Sequence, residues 1–188
     1  MSNAVTAIKG ASSKGVITVK DAGLTGMITL RGDLKSTKLA SAVKSVTDTK
    51  MPTQRGVVMG AKGATAWMSP DELLLLCDYA EADKMVAKLD KALKGTHFMA
   101  VNVSDARQIF HLKGKSIRDV LAKGVPADLR EASLGMGEMR RTRLGQLPVA
   151  FWMSAADEAY LICFRSVGNY INTWFETVIN KDADIGYF

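Results

Sequence analysis

Two pairs of adjacent carboxylates are the residues in this chain best placed to do chemistry. Residues 67–72 read Trp-Met-Ser-Pro-Asp-Glu, and residues 152–158 read Trp-Met-Ser-Ala-Ala-Asp-Glu. Paired carboxylates can act as general acid and general base when a fold brings them together. The same Ser-to-Asp spacing is also typical of a turn whose side chains bond backbone N–H groups. We therefore interpret Asp71, Glu72, Asp157 and Glu158 as turn residues of two hairpins, and we predict no catalytic residue.

The other residues that could bind a metal or a cofactor have the wrong spacing. His97 and His111 are the only histidines, and neither lies at a ligand spacing from the other or from a cysteine. Cys77 and Cys163 each close an apolar run, which is typical of small buried hydrophobes. Residues 60–65 lack the spacing of a phosphate loop, and residues 135–137 lack the third glycine of a dinucleotide fingerprint. We predict no metal-binding and no cofactor-binding residue on this chain.

Length, composition and charge limit the classes of protein to which this chain can belong. The chain has 188 residues, of which 47% are hydrophobic and 23% charged, with a net charge of +6. These values are typical of a globular protein, and no apolar run reaches the roughly 20 residues of a bilayer span. The first residues lack the pattern of a secretory signal, so we expect a cytoplasmic protein with no membrane partner. Because the basic residues are scattered and few aromatics lie beside them, we also expect no nucleic-acid partner.

Two groups of residues are candidates for contact with another protein. Arg140, Arg141 and Arg143 form the one dense basic group, in a stretch that reads as a strand. Tyr187 and Phe188 place two aromatic rings at the C-terminus, a composition typical of interface anchors. The two rings could equally pack back on their own domain, and both possibilities stay open at this point.

The chain contains a long internal repeat. The Trp of the second Trp-Met-Ser copy lies 85 residues after the first, whereas Cys163 lies 86 residues after Cys77. This difference predicts one residue gained in the second turn, between Ser and Asp. A shorter repeat relates Leu-Arg-Gly at 30–32 to Leu-Lys-Gly at 112–114. Repetition at this spacing indicates two copies of one folding unit rather than a solenoid.

The periodicity of each copy predicts the order strand, strand, helix, strand, strand, strand, helix. The final helix, which Ser166 would cap, carries an apolar stripe from Val167 to Ile179 that includes Tyr170 and Trp174. This mixture without strict strand–helix alternation predicts an α+β fold with a duplicated β-β-α-β-β-β-α unit. We expect residues 1–14 to be a flexible or partner-ordered arm and 15–180 to be a single globular domain. Its two pseudo-repeats would span about 15–96 and 97–180, and 181–188 would form a tail.

Several segments together carry a resemblance to a known family. They are residues 28–33 (Ile-Thr-Leu-Arg-Gly-Asp), 67–74 (Trp-Met-Ser-Pro-Asp-Glu-Leu-Leu), 119–121 (Asp-Val-Leu), 128–129 (Asp-Leu), 141–144 (Arg-Thr-Arg-Leu) and 164–166 (Phe-Arg-Ser), the last opening the helix that holds Trp174. With these segments in this order, the chain resembles the gamma subunit of heterotetrameric sarcosine oxidase over most of its length.

The resemblance implies a fold, a role and a set of partners. It implies the folate-binding-domain fold of the aminomethyltransferase T-protein, itself a duplicated α+β unit. It implies a non-catalytic subunit of a complex that demethylates sarcosine oxidatively and delivers the one-carbon unit to tetrahydrofolate. The partners would be larger flavin- and NAD-binding alpha and beta subunits and a small zinc-binding delta subunit. FAD, FMN, NAD, zinc and tetrahydrofolate would then be bound by those partner subunits.

Other functions remain compatible with the sequence. Related dimethylglycine or N-methyl amino acid oxidase and dehydrogenase complexes contain similar subunits, so the resemblance leaves the substrate open. A free-standing folate-binding protein like the aminomethyltransferases would need a pterin pocket. A small RNA-modification factor on the same fold would need RNA binding that weakens steeply with salt.

Overall fold

Eleven strands and four α-helices make up the part of the chain that the computed structural model describes, residues 3–183 and 186–187. The strands are β1 (Ser12–Lys14), β2 (Thr18–Asp21), β3 (Thr25–Gly32), β4 (Val57–Gly60), β5 (Gly63–Ser69), β6 (Glu72–Asp78), β7 (Phe98–Asn102), β8 (Arg107–Lys113), β9 (Met139–Leu144), β10 (Leu147–Ala155) and β11 (Glu158–Phe164). The helices are α1 (Thr37–Thr47), α2 (Ala82–Leu93), α3 (Ile117–Ala122) and α4 (Gly168–Val178). The α+β class and the order of elements in both repeats are confirmed, and β1 is additional.

The chain divides into two units. The central unit is Leu24–Asp105, and the terminal unit combines the residues up to Gly23 with those from Ala106 onward. The division differs from the predicted pseudo-repeats because one strand of each repeat is exchanged: β2 pairs with β8, and β7 pairs with β3. Periodicity identifies a strand but not its partner, which lies more than 65 residues away in the chain. That one domain includes both pseudo-repeats stays a prediction.

The central unit is an antiparallel sheet with two helices on one face. Its strand order is β4-β5-β6-β3-β7. The side chains on the helix-covered face form one buried core, and they include Ile28, Leu30, Leu73 and Leu75 from the sheet, Leu39 and Val43 from α1, and Met85 and Leu89 from α2. The side chain of Ser36 caps α1 by accepting the N–H of Leu39, and Asp48 ends the helix with a positive φ of 59°.

The terminal unit repeats this plan with six antiparallel strands in the order β1-β2-β8-β11-β10-β9. Its buried core joins the sheet to α3 and α4, and Phe110 contacts Phe175 of α4 at 5.6 Å between ring centroids. Helix α4 begins at Gly168 after a short 3₁₀ turn and has no side-chain cap, so the prediction of a cap by Ser166 is wrong. Tyr170, predicted within the apolar stripe, is 63% exposed, because the stripe that packs runs through Ile171, Phe175 and Ile179.

The N-terminal residues that the structure describes belong to the terminal unit. Ile8 is 8% exposed within its core, and β1 pairs with β2. The carboxylate of Asp21 accepts hydrogen bonds from the hydroxyl of Thr6 and from the N–H of Gly10. Gln108 accepts the N–H of Ala7 at 2.9 Å. Asp21 and Gln108 therefore anchor the N-terminal segment, and its description as a flexible or partner-ordered arm stays a prediction.

No helix in the described ranges is long and apolar enough to cross a bilayer.

Candidate partner interface

The predicted arginine group lies on β9, the edge strand of the terminal sheet. Arg141 and Arg143 are exposed, and because they are two residues apart they lie on one face of the sheet. Arg140 lies on the opposite face, with its side chain only 14% exposed and its Nη2 3.9 Å from Oε2 of Glu138. Nη1 of Arg140 is buried and has no hydrogen-bond acceptor among the described residues. The strand therefore separates the three arginines, with Arg141 and Arg143 exposed on one face and Arg140 on the other.

Tyr187 of the predicted tail is 75% exposed, and its backbone N–H donates to Oδ1 of Asp119 at 2.8 Å. Asp119 lies in α3 and is 3% exposed. The backbone of the tail thus contacts the terminal unit while the ring of Tyr187 extends into solvent. Phe188 lies outside the described residues. The choice between an interface anchor and packing on the same domain stays a prediction for both rings.

One carboxylate of each candidate pair is held in structural contacts. Asp71 accepts the hydroxyl of Ser69 at 2.6 Å and the guanidinium of Arg31 at 2.8 Å, and these two contacts lower the pKa of Asp71. The ammonium group of Lys113 donates to Glu158 at 2.9 Å and lowers the pKa of Glu158. A general acid needs a pKa near the working pH, so both carboxylates have shifted away from that task. The interpretation of both pairs as turn residues agrees with these contacts.

The thiols are also unsuited to nucleophilic chemistry. Burial raises the pKa of Cys77 to about 11 and that of Cys163 to about 12. The thiolate is the reactive form of cysteine, and at neutral pH both side chains are protonated. Among the described residues, no group of three His, Cys, Asp or Glu side chains is arranged to hold a metal ion.

Sequence reasoning missed a row of three stacked rings on the terminal sheet. Trp152, Tyr160 and His111 lie directly opposite one another on β10, β11 and β8. The ring centroids of Trp152 and Tyr160 are 5.2 Å apart, and those of Tyr160 and His111 are 4.9 Å apart. Nε2 of His111 lies 3.8 Å from Oε1 of Glu158. The row depends on the register of three strands, which no local signal in the sequence reports.

A cleft of the terminal unit with a volume of about 630 Å³ is lined by no acid–base pair. The residues that line it are Ala7, Ala106, Phe164, Arg165, Ser166 and Asn169. The guanidinium of Arg165 donates to the carbonyl of Val5 at 2.7 Å, so this charge helps to hold the N-terminal segment. The arrangement supports packing of the N-terminal segment rather than proton transfer.

Comparisons with known proteins agree with this geometry. The model of the sarcosine oxidase, gamma subunit family matches residues 31–181. The sarcosine oxidase subunit gamma of Corynebacterium sp. (strain P-1) is 27% identical over 174 residues, which cover 92% of this chain and 84% of that protein. A chain of the heterotetrameric sarcosine oxidase from Corynebacterium sp. U-96, solved in complex with pyrrole 2-carboxylate, superposes with a TM-score of 0.79. That pair is 24% identical over 89% of this chain and 87% of the other.

A second solved structure shares the fold at greater distance. The glycine cleavage system aminomethyltransferase T from Bartonella henselae superposes with a TM-score of 0.61 at 14% identity. The match covers 82% of this chain and 44% of the aminomethyltransferase. The folate-binding-domain fold expected from the sequence is thus confirmed.

Proposed function

Because the chain belongs to the sarcosine oxidase gamma subunit family, we propose that it works as a non-catalytic subunit of a flavin-dependent sarcosine oxidase complex. The match over residues 31–181 is the observation that carries the proposal. The contacts of the carboxylates and thiols support it, since the groups most suited to acid–base or nucleophilic work are engaged in ion pairs or protonated by burial.

The proposal assigns the chemistry to other chains of the complex. Larger alpha and beta subunits would bind FAD, FMN, NAD and tetrahydrofolate, and a small delta subunit would bind zinc. The complex would oxidise the N-methyl group of sarcosine and transfer the one-carbon unit to tetrahydrofolate, in the cytoplasm. The alternative is a related complex that acts on dimethylglycine or another N-methyl amino acid. In this proposal the chain does not contact the substrate, so its residues do not distinguish between these substrates.

Purification of the N-terminally tagged chain from the source organism tests the proposal. The expected result is a high-mass particle that contains flavin and oxidises sarcosine, whereas the separated chain is colourless and inactive. Native mass spectrometry of the particle gives its subunits and their stoichiometry. Recovery of the tagged chain alone would overturn the proposal, and binding of tetrahydrofolate by that isolated chain would support the free-standing folate-binding alternative instead.

We propose that Arg141 and Arg143, with Tyr187 and Phe188, form part of the partner interface. Two exposed guanidinium groups on one face of an edge strand suit the polar rim of an interface, where charges set association rate and salt dependence. Replacing both arginines by alanine should slow assembly and weaken its dependence on salt. Lys88 and Lys91 on the exposed side of α2 provide the matched control. Equal association kinetics for the two double variants would exclude the β9 arginines from the interface.

Replacing Tyr187 and Phe188 by alanine tests the tail separately, because this change keeps the backbone N–H that Tyr187 donates to Asp119. Because the ring of Tyr187 is exposed, we expect a loss of complex yield with little change in the melting temperature of the chain. A lower melting temperature with full complex yield would instead assign the aromatic residues to intramolecular packing.

A further inference from the structure

The two sheets differ at one edge. Leu30 pairs with Leu73 in the central unit, and Leu112 pairs with Ala159 in the terminal unit, so the repeat relates β3 to β8 strand for strand. The neighbour of β8 is β2, and the neighbour of β3 is β7. Strand β2 is covered on its outer side by β1, whereas β7 pairs only with β3 among the described strands. The central sheet therefore lacks the sixth strand that the terminal sheet has.

The backbone of β7 presents bonding groups at this open edge. Val103 donates its N–H to Met27 at 2.8 Å, and pairs in an antiparallel ladder alternate between bonded and non-bonded. Val101 and Met99 thus bond to β3, and the N–H and C=O of Ala100 point away from it. The register relates Ala100 to Val19, whose partner across β1 is Ser13. The outward groups of Ala100 therefore occupy the position where the terminal unit makes a strand pair.

The side chains of β7 also favour strand addition. Edge strands that avoid pairing usually carry charges, and β9 follows this rule with three arginines in six residues. Strand β7 has the sequence Phe-Met-Ala-Val-Asn and carries no charge. Met99 and Val101 are each 43% exposed on one face, where apolar side chains of a neighbouring strand would cover them. A hydrophobic uncharged edge of this kind is a template for another chain.

We propose that β7 binds an extended segment of another subunit of the complex, which adds to the central sheet as an antiparallel sixth strand. The segment carries apolar side chains at two alternate positions, facing Met99 and Val101. Strand β1 on β2 is the intramolecular example of this contact within the same chain. The inference rests on the proposed function, because it needs a complex with a different subunit.

Two variants of the full chain, assayed in the tagged complex, test the inference. Ala100→Pro removes an outward N–H that β3 does not use, and proline is tolerated at such edge positions. Met99→Glu places a carboxylate in the proposed strand contact. Within the central sheet, the new side chain would lie opposite Arg31 of β3. Each variant should weaken assembly by about tenfold or more, since main-chain bonds supply much of the affinity in strand addition. Met59→Glu is the matched control, because Met59 is 73% exposed on β4 at the other edge of the same sheet.

Hydrogen exchange measured by mass spectrometry on peptides covering 98–102 gives an independent readout. The amides of Ala100 and Asn102 should exchange rapidly in the isolated chain and slowly in the complex. Equal exchange in both states, or full assembly of both variants, would overturn the inference while leaving the proposed function intact. A dimeric mass of the isolated chain that Met99→Glu converts to a monomer would assign the edge to a second copy and also overturn it. Failure of the wild-type chain to assemble would instead reject the proposed function.

Discussion

The two Trp-Met-Ser hairpins have nearly the same sequence but place their tryptophans on opposite faces of their sheets. Trp67 lies opposite Leu73, on the face that packs against α1 and α2. Trp152 lies opposite Tyr160, whereas its neighbour Met153 packs in the core with α3 and α4. The structural equivalent of Trp67 is therefore Met153, and Trp152 corresponds to Ala66.

The register of the two hairpins explains this difference. The turns from Ser69 to Glu72 and from Ala155 to Glu158 have the same length, and a register irregularity precedes each of them. The prediction that the residue was gained in the turn is thus wrong. Met153 and Cys163 each lie 86 residues after their equivalents Trp67 and Cys77, so the hairpin has gained no residue, and the second Trp-Met-Ser simply lies one position earlier on its strand. A shift of one residue moves a side chain to the other face of the sheet. Sequence similarity between two copies does not establish structural equivalence of their residues.

The largest expected effect distinguishes the two tryptophans. Trp152→Ala should lower the free energy of unfolding by about 3–5 kcal/mol, because Trp152 is 4% exposed and stacks on Tyr160. Trp67→Ala should cost about half as much, since Trp67 is only half-buried. Urea unfolding of both variants, followed by far-UV circular dichroism, measures the difference. Equal losses would mean that the two side chains occupy equivalent environments after all.

A smaller effect is expected at Asp21, which helps to hold the N-terminal segment and β1, the strand without an equivalent in the central unit. Asp21 and Asn102 occupy equivalent positions, and each accepts a backbone N–H from the second residue after it. Burial raises the pKa of Asp21, but hydrogen bonds from Thr6, Gly23, Gly10 and Gln108 outweigh this, so the net pKa is lowered. Asp21→Asn should cost about 1–2 kcal/mol at neutral pH, because a charged acceptor for the N-terminal segment is lost.

The sign of the pH dependence follows from the lowered pKa. The stability that the Asp21 carboxylate contributes is complete above its unfolded pKa of about 3.9 and is lost as the pH falls through the lower folded value. The difference in the free energy of unfolding between wild type and Asp21→Asn should therefore be constant above about pH 4 and should disappear below it. Unfolding midpoints measured from pH 7 to pH 2 follow this difference. A difference that grows on acidification would contradict the assigned role of the carboxylate.

The smallest effect is expected where the two units agree. Arg31 forms an ion pair with Asp71 in the central unit, and its equivalent Lys113 forms one with Glu158 in the terminal unit. The basic residues are equivalent, whereas Glu158 is the equivalent of Glu72 rather than of Asp71. Exposed pairs contribute little to stability and are screened by salt. Asp71→Asn and Glu158→Gln should each leave the unfolding midpoint close to that of wild type in high salt. A large loss in either variant at high salt would show that its ion pair contributes more than an exposed pair does.

Much of the fold could be predicted from the sequence. The strands around Trp67 and Trp152 and the cap at Ser36 depend on side chains within a few residues of one another, so local periodicity and capping rules report them. Less of the candidate interface could be predicted from the sequence. Strand alternation places Arg140 and Arg141 on opposite faces, but only the pairing of β9 with β10 shows that Arg140 lies on the face where Phe151 packs in the core.

The sequence by itself determined the α+β class, the order of the elements, the duplication and the resemblance to the gamma subunit family. These properties are set by side-chain type and spacing along the chain. Only the tertiary structure decided that β2 and β7 are exchanged between the repeats, that Trp152 stacks on Tyr160, and that β7 is an open edge. The exchange and the open edge depend on the pairing of strands far apart in sequence, and the stacking depends on the register of the β10–β11 hairpin. Burial of the whole sheet face selects this register, and no local pattern reports it.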